Sequence, residues 1–249
     1  MEINNGWGRK RFTPLMAGLL VLTAASAFAA AAPPVAGVVI SYEGKPEVQR
    51  AGEKDYKALK FNDMLREGDR VKTGHGVRVG IAFVGGAELR INEDSIFKME
   101  SGGGSKPTSV FTEFGNAWTR LLHGRSGMRV RTPNAVAAVR GTEADVNLGS
   151  GPLTVKVYEG FVDVMNDKGT TALKAGQQTS VAGGGQAPQP AQTMSASDYG
   201  TWQNALKAAD LGKSLKILDA ASVKQRTLDL NMKDKDGKPK KVRMTFEKK

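Results

Sequence analysis

Apolar residues recur at every second position through most of this chain. Val38, Ile40 and Tyr42 fall on one face, Glu43-Gly44-Lys45-Pro46 makes a turn, and Val48 follows, which is a hairpin pattern. Ala58-Leu59 to Leu65 runs into the turn signal Gly68-Asp69. Val71-Lys72-Thr73-Gly74 leads to Val77, Val79, Ile81 and Phe83, all on one face, before Gly85-Gly86 reverses the chain. Leu89, Ile91 and Ile96, with Phe97 and Met99, continue the alternation. Ser101 to Ser109, with Gly102-Gly103-Gly104 and Pro107, reads as a flexible loop. The alternation resumes at Val110, Phe111 and Phe114, and again at Leu153, Val155 and Val157 and from Phe161 to Met165. Asp167-Lys168-Gly169 is a hairpin turn, and Leu173 to Val181 completes the region. Turn residues about every eight to twelve positions give the rhythm of an all-β fold, a β-roll or sandwich of many short strands.

The pattern changes after Ala182. Gly183 to Gln192, GGGQAPQPAQ, is low in complexity and predicts a linker, with a domain boundary over residues 183–194. Ser195 or Ser197 can cap a helix, and Tyr199, Trp202, Leu206, Ala209, Leu215, Leu218 and Ala221 mostly fall on helical spacings, with Gly212 as a break. Leu228, Leu230 and Met232 then face Val242, Met244 and Phe246 across Asp236-Gly237, a β-hairpin. The expected organisation is a leader over 1–30, an all-β domain over 36–182, the linker, and a C-terminal helical segment with a basic hairpin over 195–249.

The leader rests on three features. Arg9, Lys10 and Arg11 are basic, Leu15 to Ala25 is apolar but short, and Ala27-Phe28-Ala29 is small-x-small. Together they predict a secretory signal peptide cut near Ala29 or Ala30 and a periplasmic location. The chain has no cysteine, which excludes thiol catalysis, thiolate metal sites and disulfides. The net charge is +11, and it is unevenly placed. From Lys224 to Lys249 ten Lys or Arg stand against four Asp or Glu, a net +6. That tail could contact an anionic polymer or lipid surface, or could instead be a solvated hairpin whose lysines block edge pairing. Nucleic acid is not expected, since no aromatic residues interleave with the charge.

One stretch organises the rest, Val130 to Val146, VRTPNAVAAVRGTEADV. Thr132-Pro133 starts a turn, and Arg140-Gly141-Thr142-Glu143 interrupts a β-patterned run, so the backbone should bend there. Arg140 and Glu143 could pair across that bend. Thr132, Pro133, Arg140, Gly141, Thr142 and Glu143 are therefore the structural or interaction candidates. No catalytic, cofactor or metal residues are assigned. His75 and His123 are the only histidines, both beside glycines and without a carboxylate pattern. Ser126 lacks the nucleophile-elbow context, and Asp69 fits a turn amide. Asp234-x-Asp236-Gly237 lacks the distal glutamate of a calcium loop. No enzyme is expected.

Several of these motifs, in order, resemble the FecR-domain family of bacterial envelope proteins. They are Leu65-x-x-Gly68-Asp69-x-Val71-Lys72-Thr73-Gly74, Val79-x-Ile81-x-Phe83-x-x-Gly86-x-x-Leu89 and Thr132-Pro133-Asn134-Ala135. Val139-Arg140-Gly141-Thr142-Glu143, Glu159-Gly160-x-Val162-x-Val164 and Leu173-x-Ala175-Gly176-Gln177 follow. The resemblance spans about residues 37 to 182 and implies an extracytoplasmic all-β module. The family's best-known members resemble iron-uptake signal transducers with a cytoplasmic sigma-factor-binding segment and a membrane helix; the leader departs from that plan. The expected function is a non-enzymatic periplasmic protein-interaction or scaffold module with an envelope or membrane protein as partner. The alternatives are a component of a transmembrane signalling system and an envelope carbohydrate-binding protein.

Overall fold

A computed structural model describes residues 32–103, 106–121, 127–140, 143–206, 213–214, 216–218, 226–233 and 239–246, the last two stretches as backbone. The leader, His123, Ser126, Gly141, Thr142 and the Asp236-Gly237 turn lie outside the described residues. Seventeen strands are linked in one pairing network. They are β1 (Val35–Glu43), β2 (Glu47–Gln49), β3 (Tyr56–Ala58), β4 (Met64–Arg66), β5 (Arg70–Thr73), β6 (Arg78–Phe83), β7 (Ala87–Ile91), β8 (Ser95–Ser101) and β9 (Thr108–Leu121). After them come β10 (Met128–Arg131), β11 (Val136–Val139), β12 (Glu143–Leu148), β13 (Leu153–Glu159), β14 (Phe161–Asn166), β15 (Gly169–Lys174), β16 (Gln177–Val181) and β17 (Gln192–Thr193).

The pairings sort into two layers that share β9. One layer runs β4-β1-β6-β7-β9-β12-β13-β16-β17. The other runs β3-β2-β5-β8-β9-β10-β11-β14-β15. All neighbours are antiparallel except β9 and β10. The first half of β9 belongs to the second layer and its second half to the first, and Gly115, at φ +121°, stands at the switch. A Cβ at Gly115 would collide with the Ser95 side chain, so the switch requires glycine for its dihedral and for its space.

Period two explains the core. Val39, Ile81, Leu89, Ala117, Val146 and Val155 from the first layer meet Val48, Val71, Phe97, Val110, Val130 and Val164 from the second in one buried cluster. This is the all-β fold that the alternation predicts. A second, small cluster lies on the outer side of β1 and β6, where Val38, Ile40 and Ala82 are covered by Leu218. Asp69 is buried and accepts hydrogen bonds from the Arg66 and Ala51 amides and from Arg50 Nη1, which holds the tight turn between β4 and β5.

Three sequence expectations are corrected here. Gly102 and Gly103 are not a free loop: the Gly102 carbonyl accepts the Gly85 amide at 2.7 Å, and a Cβ at Gly102 would stand 2.5 Å from the Ala36 backbone. Gly183 to Gln192 is not a free tether. Asn166 Nδ2 donates to the Gln186 carbonyl, Thr171 Oγ1 to the Pro188 carbonyl, and the Gln189 amide to the Ser180 carbonyl, so the segment lies along β14–β16. The helical spacing from Ser195 produces two 3-10 turns, Ala196–Asp198 and Trp202–Ala205, and only Lys213, Ser214 and Lys216–Leu218 are helical among the described residues that follow. Lastly β18 (Arg226–Lys233) and β19 (Pro239–Phe246) pair antiparallel as a separate ribbon, with Leu228 opposite Met244 and Leu230 opposite Val242.

Candidate functional site

The two layers present two different outer faces. On the second layer, Met128, Val130, Ala137 and Val139 point into the core, which turns Arg129, Arg131, Val136 and Ala138 outward. With Met165 of β14 they form an open trough of about 660 Å³, and Arg140 closes one end. Arg131 is held by Glu100 at 2.6 Å and Arg140 by Asp163 at 3.0 Å. Arg129 has no ion-pair partner among the described residues. Phe161, on the same outward side of β14 as Asp163, is 64% exposed. An apolar floor with a guanidinium rim can hold an apolar segment that carries carboxylates.

The sequence candidates divide on this face. Thr132 is structural: its Oγ1 donates to the Ala135 carbonyl and accepts the Asn134 and Ala135 amides, closing the β10–β11 turn with Pro133 at its exposed corner. Arg140 lines the trough. It does not pair with Glu143: β11 lies in the second layer and β12 in the first, and Arg140 meets Asp163 instead. Glu143 stands opposite Arg120 and Glu159 at the start of β12.

On the first layer the outward positions of β7, β9, β12, β13 and β16 are mostly polar, and the segment after β17 straps over them. Arg90, Trp118, Asp145, Lys156 and Gln178 form one row across β7, β9, β12, β13 and β16. Glu88, only 2% exposed, accepts Arg90 Nε at 2.7 Å and Arg120 Nη2 at 2.6 Å. Both guanidiniums lie over the Trp118 ring, at 4.8 and 5.7 Å from its centroid. The strap is held by polar contacts: Met194 N to the Gly176 carbonyl, Lys156 Nζ to the Asp198 carbonyl, Arg90 Nη1 to the Gln203 carbonyl, and Trp202 Nε1 to Asp145 Oδ2 at 3.0 Å. Tyr158 and Tyr199 meet at 5.7 Å between ring centroids.

Asp145 is 5% exposed, and burial pushes its carboxyl up to about 6 against the opposing pull of the Trp202 hydrogen bond, the Lys156 charge and the Asn116 hydrogen bond. Burial, and next the Asp145 charge, push the Tyr158 phenol up to about 12. Beside Asp145 lies a cavity of about 200 Å³ between β9, β12, β13 and the strap. Asn116 Oδ1 in its wall, and Trp118 Nε1 and Gln203 Oε1 nearby, are the buried side-chain atoms without a hydrogen-bond partner among the described residues. Sequence reasoning missed this face. An outward polar position on a strand reads as solvent-facing, and nothing in the strand itself marks it as covered.

A third grouping is exposed. His75 Nδ1 lies 3.2 Å from Glu93 Oε2 and 3.6 Å from Asp94 Oδ2, so the imidazole does have carboxylate neighbours, unlike its sequence reading. The Gly76 amide, 2.7 Å from Glu93, is the main cause that lowers that carboxyl. With His75 91% exposed, the trio is a surface polar cluster at a turn.

Residues 69–163 match the family model described as FecR protein, a stretch that contains β5 to β13 and the first half of β14. That stretch is thus similar to a FecR domain, and both faces are built largely from it. Among curated proteins no match was found. Two crystal structures of a candidate anti-sigma factor from Parabacteroides distasonis, at 2.50 and 1.65 Å resolution, align with a TM-score of 0.45 and 19% identity. The alignment covers 51% of this chain and 60% of the solved chain, so less than two thirds of that protein is represented.

Proposed function

Taking the likeness of residues 69–163 to a FecR domain as the premise, we propose that this chain is a non-catalytic regulatory module of the bacterial envelope, which acts by holding a protein partner on the outer face of its second layer. The observation that carries the reading is the trough: an apolar floor of Val136, Ala138 and Met165 under a rim of Arg129, Arg131 and Arg140. An exposed apolar patch rimmed by charge is the usual surface of a protein contact. The partner that fits is a segment with apolar side chains for the floor and at least one carboxylate for Arg129. Export through the leader puts the module outside the cytoplasm, and mass spectrometry of exported protein should find an N-terminus near Ala30. The surplus of basic residues in the tail, a net +6 from Lys224 to Lys249, adds a weak, salt-sensitive attraction to anionic surfaces.

Photo-crosslinking in envelope fractions tests the trough. A crosslinker at Ala138 should give a discrete protein adduct, and one at Lys98, on a different strand of the same layer, should not. Arg129→Glu should abolish the adduct without changing the thermal midpoint, since Arg129 is exposed and unpaired among the described residues. Equal adducts at both positions, or an adduct indifferent to Arg129→Glu, would refute the reading.

A further inference from the structure

The cavity under the strap has hydrogen-bonding capacity that the protein itself leaves unused. Its walls come from adjacent strands in strict alternation: Asn116 on β9, Asp145 and Asn147 on β12, Thr154 and Tyr158 on β13, with Trp202 of the strap opposite. Asn116 and Asn147 are register partners, as are Asn147 and Thr154, so the polar groups converge. Asn116 Oδ1 is buried and unpartnered among the described residues. The Asp145 carboxylate, with lone pairs for about four hydrogen bonds, receives Trp202 Nε1 and the Asn116 side chain. Thr154 and Tyr158 offer hydroxyls that both donate and accept.

The balance of groups narrows the ligand. Lys156 is the only cation in the lining, and it is already engaged by the strap, its Nζ 2.8 Å from the Asp198 carbonyl and 3.7 Å from Asp198 Oδ1. An anionic ligand finds no free cation, and a ligand without charge fits the remaining groups. It must donate to Asn116 Oδ1 and Asp145 and accept from Thr154, Tyr158 and the Asn147 amide, and the hydroxyl group does both. The aromatic rings of Trp202 and Tyr158 in the lining offer apolar surface to the C–H side of a small ring. About 200 Å³ is below the range of about 300–1,000 Å³ typical of drug-sized sites and suits a single ring.

We propose that this cavity is a binding site for one neutral, hydroxyl-rich ring, a monosaccharide unit, seated between β9, β12 and β13 and closed by Trp202. The site lies on the first layer, whereas the trough lies on the second, so the two readings fail separately.

The test uses the full chain and the Trp202 indole N–H resonance, assigned by its loss in Trp202→Phe. Glucose, galactose, mannose and N-acetylglucosamine are titrated, with cyclohexanol as a ring of similar shape that lacks the hydroxyl set. At least one sugar should shift the Trp202 resonance saturably in the millimolar range or tighter, and cyclohexanol should not. Asn116→Ala and the near-isosteric Thr154→Val should each weaken that sugar about tenfold, the loss of one hydrogen bond. Thr154 is only half-buried, so the Val variant retains the fold if the Ala variant does not. No saturable shift with any of the four sugars would overturn the proposal. So would a response to cyclohexanol equal to that of the sugars, or sugar affinity unchanged in Thr154→Val.

Discussion

Asp145→Asn should stabilise this protein at alkaline pH and do progressively less as the solution is acidified. The wild-type carboxyl lies at about 6 in the fold against an ordinary 3.8, a gap of about 2 pH units. The raised value means the folded state holds the proton more tightly than the unfolded chain does. Burying the charged form therefore destabilises the fold above pH 6. That cost, about 3 kcal/mol at pH 8, shrinks as pH falls through 6 and is nearly gone by pH 4. Asparagine removes the charge and keeps an oxygen to accept the Trp202 indole N–H, so the contact at 3.0 Å can survive. The attraction to Lys156 is already contained in the value of about 6, so its loss in the asparagine variant needs no separate allowance. The assay is urea unfolding of both proteins at several pH values between 4 and 8, read as the difference in stability. Other carboxylates titrate alike in both chains and cancel. A difference that stays flat over this range would refute the burial argument.

The other predictions address the switch strand and the strap. Gly115→Ala places a Cβ against Ser95 at a φ that disfavours side chains, so it should cost about 2–4 kcal/mol in denaturant unfolding; a wild-type midpoint would show that β9 can bend without glycine. Truncation after Ala182 should leave a folded β body, because the main buried cluster ends at Val181, yet it uncovers Asp145 and should abolish the pH-dependent difference between the wild-type side chain and the Asp145→Asn variant. Circular dichroism showing an unfolded product would mean that the strap is needed to complete the fold.

The inward half of this fold was legible and the outward half was not. Leu153, Val155 and Val157 announce a strand face because burial in a shared core is the main force on them. Thr132-Pro133 announces its turn because both residues act on their own backbone. Gly183 to Gln192 carries the composition of a tether, but its docking runs through the carbonyls of Gln186, Pro188 and Gln189, which every residue type possesses. Tyr199, Trp202 and Leu206 have helical spacing, but Trp202 and Gln203 are drawn to partners on the sheet, and Lys156 holds the Asp198 carbonyl. Arg140 and Glu143 are close in sequence, yet their strands pair in different layers, and a pattern of period two does not reveal which layer a strand joins.

The sharing of β9 has a consequence for how the chain is delivered. Strands β1 to β8 lie on one side of it in both layers, and β10 to β17 lie on the other. A chain arriving from its N-terminus thus completes half of each layer by Leu121 and then waits, with the same strand as the open edge of both. Unpaired edges recruit other strands, and pairings distant in sequence form slowly. The interval before β10 and β12 arrive is the stage at which this protein is most open to strand exchange with another copy, and any holding factor present during folding would have its greatest effect on those two rows of unpaired amides and carbonyls.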